Sequence, residues 1–334
     1  MNKLRNKLLL SIWMLVATTI TLASTTYAWF ASNKEVGLDD FDLELETQQN
    51  MLVSIDGVNF SSRITNEELK RGIVAKYKGI DVKDVNDISS FDNIHLQCVT
   101  YDGTTFKKIT DKVDDPKTTN NYILEETSVS SGMFISFDLW FQYTSFKNDS
   151  SSYYVTFVGD SYSDNNVSGS YLSGSKNDVK LYNKLTTIDK TYNSGDVITI
   201  NTGDALRLGV ITNESENLIF EPNEGLSSYA ILGETIPKYN PAYNPMLTYF
   251  NNINLGNLAP ISENVDMYKN TIKNFNSDTK LGVFTKNDDN VYNTVKITIS
   301  VWLEGMDGDY IIGCSNTSLS MLLNFCVKKY EEVE

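Results

Sequence analysis

Every second residue is apolar through Met133, Ile135, Phe137, Leu139, Phe141 and Tyr143, and again through Val295, Ile297, Ile299, Val301 and Leu303. Successive side chains of a strand point to opposite faces, so a period of two builds one buried face; a helix would scatter the same residues around its axis. The pattern returns at Phe41, Leu43 and Leu45, at Ile94, Leu96 and Cys98, and at Leu319, Met321, Leu323, Phe325 and Val327. Phe134 and Trp140 lie on the opposite face of the first run, which predicts a central strand covered on both sides. Further strands are predicted at 153–158, 197–200 and 206–211, and Asp56-Gly57 reads as a two-residue hairpin turn. Helical spacing is confined to 66–71 and to 263–275, where Val265, Tyr268, Ile272 and Phe275 recur. Many strands and few helices predict an all-β fold, an antiparallel, jelly-roll-like β-sandwich with a few short helices and long loops.

Two stretches read as those loops. Residues 159–196 are rich in Ser, Asp, Asn and Gly, and residues 213–262 hold Pro222, Pro237, Pro241, Pro245 and Pro260. Within the second, YNPAYNP at 239–245 presents Tyr239 and Tyr243, which could stack on sugars or pack on a neighbouring subunit, or simply sit in an ordered surface excursion.

The first thirty residues set the compartment. Lys3, Arg5 and Lys7 precede an uncharged run at 8–31, with Thr26 and Ala28 at the −3 and −1 positions of a signal-peptidase site and Trp29 next in line. The run is 24 residues long, and about 20 suffice to span a bilayer. Two readings therefore stand, a signal peptide ending at 28 or a retained membrane anchor reaching 31. Both send the rest of the chain outside the cell, as a secreted or cell-surface protein. The expected organisation is 1–28 as signal, 29–46 as an N-terminal strand segment and 47–330 as an elaborated sandwich domain.

The formal charge of −15 becomes −18 once residues 1–28 are removed, since they hold three basic residues and no acidic one. So acidic a body disfavours nucleic acid, whose phosphates need a basic surface. Catalytic constellations are scarce. His95 is the single histidine, and it falls on the Asn93 and Gln97 face of its strand as an ordinary solvent-side residue. No GxSxG, Walker A or dinucleotide fingerprint occurs. Paired carboxylates for a surface glycoside hydrolase are available in any acidic chain, but sequence does not show their separation. No cofactor is expected; the acidic turns at 287–290 and 307–309 offer weak calcium binding at most, and solvated turns are the simpler reading. Cys98, Cys314 and Cys326 read as buried thiols, with Cys314–Cys326 the nearest pair for a bridge.

Residues 24–30, STTYAWF, followed by a charged linker and the alternating FDLELE at 41–46, resemble the N-termini of exported proteins processed by a SipW-type signal peptidase, the TasA and camelysin family of Gram-positive surface and biofilm-matrix proteins. The segment 295–325, with WLEGMDG at its centre, is similar to the ending of other surface proteins of low-GC Gram-positive bacteria. The resemblance is limited to these two ends. It implies a β-sandwich that polymerises as a fibre, the N-terminal strand of one subunit completing the sheet of the next.

The residues allow the same behaviour on physical grounds. Trp29, Phe30, Val36, Leu38, Phe41, Leu43 and Leu45 are the apolar candidates for a donated strand, and burying four of them contributes roughly 6–12 kcal/mol before ordering costs. Head-to-tail donation does not close on itself and so gives a fibre. Equally, 41–46 can be the first strand of its own sandwich, leaving 29–38 to act on a neighbour. The expectation is an exported, non-enzymatic structural protein of the cell surface or extracellular matrix. Its partners would be further copies or related surface subunits, with the membrane and a signal peptidase met during export. A membrane-anchored adhesin or carbohydrate-binding module is the alternative reading, and a surface glycoside hydrolase the third.

Overall fold

The structure, a computed structural model, describes residues 36–37, 42–47, 50–101, 104–112, 121–144, 151–159, 162–163, 166–167, 169–180, 185–187, 191–193, 195–212, 217–223, 230–232, 272, 274–275, 279–286, 291–304 and 319–330. In chain order the strands of its two main sheets are β1 (Asp42–Thr47), β2 (Met51–Ser54), β3 (Arg63–Ile64), β4 (Cys98–Tyr101), β5 (Phe106–Lys112), β6 (Asn121–Thr127) and β7 (Ile135–Tyr143). They continue as β8 (Tyr153–Phe157), β9 (Tyr171–Gly174), β10 (Leu206–Thr212), β11 (Leu218–Phe220), β12 (Gly282–Phe284), β13 (Val295–Glu304) and β14 (Leu319–Lys329). Among the described residues one α-helix, α1 (Asn66–Lys78), lies between β3 and β4. The protein is mostly β, as its alternating sequence requires.

The six-stranded sheet is organised by β14. One edge of β14 takes β9 and then β8, the other takes β1, with β12 and β3 outermost. The eight-stranded sheet is organised by β13 in the same way. It pairs with β10 along one edge and with β7 and then β4 along the other, while β11, β2, β5 and β6 extend the sheet. The alternating residues of both central strands meet in one core: Phe141 of β7 and Phe325 of β14 lie 4.9 Å apart between ring centroids, and Phe157 of β8 meets Phe220 of β11 at 5.1 Å. Two sheets enclosing one core are consistent with a sandwich.

The pairing is not wholly antiparallel. β1 runs parallel to β14, from Asp42 opposite Ser320 to Thr47 opposite Phe325, and β13 touches β4 in parallel at Leu303 and Cys98. Period two fixes which face a residue occupies, but says nothing of strand direction.

The central placement of β7 holds. Ile135, Phe137, Leu139 and Phe141 are fully buried in the main core. Phe134, just before the strand, joins a second cluster with Val99, Tyr101, Phe106, Ile219 and Trp302. Phe106 stacks on Phe134 at 3.8 Å and meets Trp302 edge-on at 5.2 Å. Trp140 is half-buried, with the Lys296 ammonium 4.8 Å from its ring.

Helix α1 starts at a capping box. The Glu68 N–H donates to the Thr65 hydroxyl, and the Glu68 carboxylate accepts the Thr65 N–H at 2.8 Å. It ends at Gly79, whose φ of 66° is the left-handed conformation that glycine adopts freely. The helix extends beyond the predicted 66–71: it runs on past Gly72, which packs beside Ile55, and buries Ile73, Val74 and Ala75. It touches β7 of one sheet and β1 of the other, closing the flank between them.

Three other expectations change. Asp56-Gly57 is not a two-residue hairpin, because the strands beside it rejoin only at Val53 and Ser61. The Asp56 carboxylate draws in the N–H groups of Val58 and Asn59 at 2.8 Å each and the Asn59 amide at 2.7 Å, which rounds the turn into a longer loop. Ile272, expected in the helix at 263–275, forms a β-bridge with Phe220; residues 263–271 lie outside the described residues. The loop stretch 159–196 also contains strands: Lys176–Lys180 pairs with Val197–Asn201, and Leu185–Thr187 pairs with Thr191–Tyr192 and with Ala230–Leu232 of the second loop stretch.

Candidate assembly surface

The N-terminal segment joins the body in two steps. Val36 and Gly37 pair antiparallel with Leu96 and His95, and β1 then enters the sheet beside β14. Leu45 is fully buried, between Leu323 on one side and Ile64 on the other. The corner that follows is held by the Thr47 hydroxyl, which reaches the carbonyls of Met51 and Ser62 at 2.9 Å each, and by Asn50 with φ at 70°. Of the two readings of 41–46, this is the strand of the chain's own sandwich. Leu45 and the backbones of Val36 and Leu43 are therefore used within the molecule, and the other donor candidates are Trp29, Phe30, Leu38 and Phe41. Thr26, Ala28, Trp29, Phe30, Leu38 and Phe41 lie outside the described residues. Among the described residues, no helix is long and apolar enough to cross a membrane.

Sheet edges are where a second chain could add, and most of those described are covered. The edge beyond β11 is met by Ile272, whose N–H donates to the Ile219 carbonyl at 2.8 Å and whose carbonyl accepts the Glu221 N–H at 2.9 Å. The edge beyond β2 is met by Ser61 at Val53. β9 is closed by the turn at 202–205: Gly174 and Gly203 approach so nearly that a Cβ on Gly174 would stand 2.4 Å from the Gly203 nitrogen. β3 is two residues long and β12 three. The seven-residue β6 has β5 on one side and no strand on the other among the described residues.

The long excursion that holds Tyr239 and Tyr243 runs between Glu221 and Ile272, which are hydrogen-bonded to each other, and its strand Ala230–Leu232 pairs with Leu185–Thr187. The two tyrosines lie outside the described residues, but both feet of the excursion are described. Glu221 is gripped by Arg207 at 2.8 Å, with the two side chains 9% and 2% exposed. Arg207 also donates to the carbonyls of Asp204 and Leu206 at 3.0 Å each. The Asn223 amide donates to the carbonyls of Leu172 and Gly203, at 2.8 and 3.0 Å. On the returning foot Phe275 is fully buried, stacked on Phe220 at 5.2 Å and 4.9 Å from Phe157.

Two carboxylates of the eight-stranded sheet have structural partners. Glu304 is the last residue of β13, fully buried, and accepts the Trp302 indole N–H at 3.0 Å. Residues two apart share a strand face, which is why the WLE spacing places these two together. Asp138 is a hub for Lys76 at 2.9 Å, Lys296 at 3.0 Å and the Thr298 hydroxyl at 2.7 Å. Burial would raise its pKa, but the bonds from Thr298, Lys76 and Lys296 prevail and hold it below the usual range. Sequence reasoning missed both Asp138 and the Arg207–Glu221 pair. A charge on the outward face of a strand reads as solvated until the element covering it is known.

His95 is half-buried, and its backbone N–H donates to the Gly132 carbonyl at 2.9 Å. Cys326 is a free buried thiol whose pKa burial pushes up, with Lys328 opposing weakly. No group of three or more His, Cys, Asp or Glu able to hold a metal occurs among the described residues. The acidic turns at 287–290 and 307–309 lie outside them. Comparison of the chain with protein-family models, with curated proteins and with solved structures returned no match.

Proposed function

We propose that the protein is an exported structural component of the cell surface or extracellular matrix, a jelly-roll-like sandwich that assembles head to tail through the segment preceding β1. The observation that carries the reading is the parallel pairing of β1 with β14. The chain enters the sheet beside the start of β14 and leaves it at the far end of that strand. At about 3.3 Å per residue, the 11 residues of β14 separate entry from exit by roughly 35 Å. A subunit whose chain enters and leaves at opposite poles has the polarity that head-to-tail stacking needs. The apolar residues Trp29, Phe30 and Leu38 precede β1 in the sequence and are the candidates for a strand given to a neighbour. Glu221, Glu304 and Asp138 are engaged in internal pairs and give the glycoside hydrolase reading no added support. The adhesin reading keeps one observation in its favour, the firmly held feet of the Tyr239 and Tyr243 excursion.

The deciding experiment compares purified chains that begin at residue 29 and at residue 39. Concentration-dependent polymers from the longer chain alone are the expected result, followed by sedimentation velocity and electron microscopy. Identical monomers from both at high concentration overturn the proposal. Glycan binding that is lost in Tyr239→Ala and Tyr243→Ala would move the function to the adhesin.

A further inference from the structure

No further inference is drawn: the strongest candidate, the outer edge of the seven-residue strand β6 (Asn121–Thr127) at the rim of the eight-stranded sheet, carries nothing, because nothing in the structure shows what covers it.

Discussion

Replacing Glu221 with leucine removes one half of a buried ion pair. The other half, Arg207, is 2% exposed and also donates to the carbonyls of Asp204 and Leu206. Carbonyl dipoles do not replace a carboxylate as the partner of a buried guanidinium. Breaking such a pair costs about 3–5 kcal/mol, most of it the penalty for a buried charge that has lost its carboxylate. Against a total stability of about 5–15 kcal/mol this is a large fraction. In urea, a slope of about 3 kcal/mol per molar turns it into a midpoint lower by about 1–2 M. The double variant Arg207→Met with Glu221→Leu removes both charges together and fills the volume with apolar atoms, so its midpoint should lie well above that of Glu221→Leu alone. Glu67→Ala serves as the internal control. It breaks the Arg71–Glu67 contact at 3.2 Å, whose side chains are 42% and 69% exposed, and should cost less than about 1 kcal/mol. The reasoning fails if Glu221→Leu is as mild as Glu67→Ala, or if the double variant is no better than the single one.

Asp56 supplies a pH signature. Burial would raise its pKa, but the donors from Asn59, Ser54 and Val58 prevail and hold it at about 2 against 3.8 when unfolded. A depressed carboxylate stabilises above its unfolded pKa and loses that contribution as pH falls through the folded one, so the window runs from about 4 down to 2. Discounted for the turn's exposure to solvent, wild type should lose about 1 kcal/mol more than Asp56→Asn across that window, read by urea titration at each pH; equal losses would refute it. Gly174→Ala drives a Cβ into the backbone of Gly203 and should cost about 1–3 kcal/mol, seen as a lower thermal midpoint; an unchanged midpoint would mean the two segments are not in contact. Substituting a short Gly/Ser linker for residues 234–270, which spares the pairing of Ala230–Leu232 with Leu185–Thr187, should leave the far-ultraviolet spectrum of the sandwich in place and its melting cooperative, since Glu221 and Ile272 are already joined at 2.9 Å; loss of the cooperative transition would sink that account.

How much of this was legible depends on which physical signal a residue carries. The strands at 135–143, 206–212, 295–304 and 319–329 announced themselves because their alternation is long and one face of each is buried. The burial of β14 alternates as its sequence does, from Leu319 through Phe325. Direction was invisible: nothing in FDLELE distinguishes a parallel partner from an antiparallel one, so β1 beside β14 came only with the structure. The end of α1 was hidden because Ile73, Val74 and Ala75 form a short continuous apolar run, which periodicity alone assigns to neither helix nor strand. Asp56-Gly57 misled because turn chemistry names the bend but not its length, which Ser54 and Asn59 set by bonding the carboxylate. The candidate site divided along the same line. Leu45 was read as apolar and strand-borne, which it is. Whether it served its own sheet or a neighbour's rested on a partner far away in sequence.

The feet of the excursion carry one more consequence. Because Glu221 and Ile272 are hydrogen-bonded to each other, the two ends of the stretch between them are held together whatever its length. Doubling the length of a closed loop costs only about 0.6 kcal/mol. Evolution can therefore lengthen or shorten that stretch, as a tool is changed in a fixed chuck, while the bridge at its base stays in place. Among descendants of this chain, the most rapid divergence in length should fall between residues 224 and 271, with the residues of the chuck itself, Arg207, Glu221, Asn223 and Phe275, held constant.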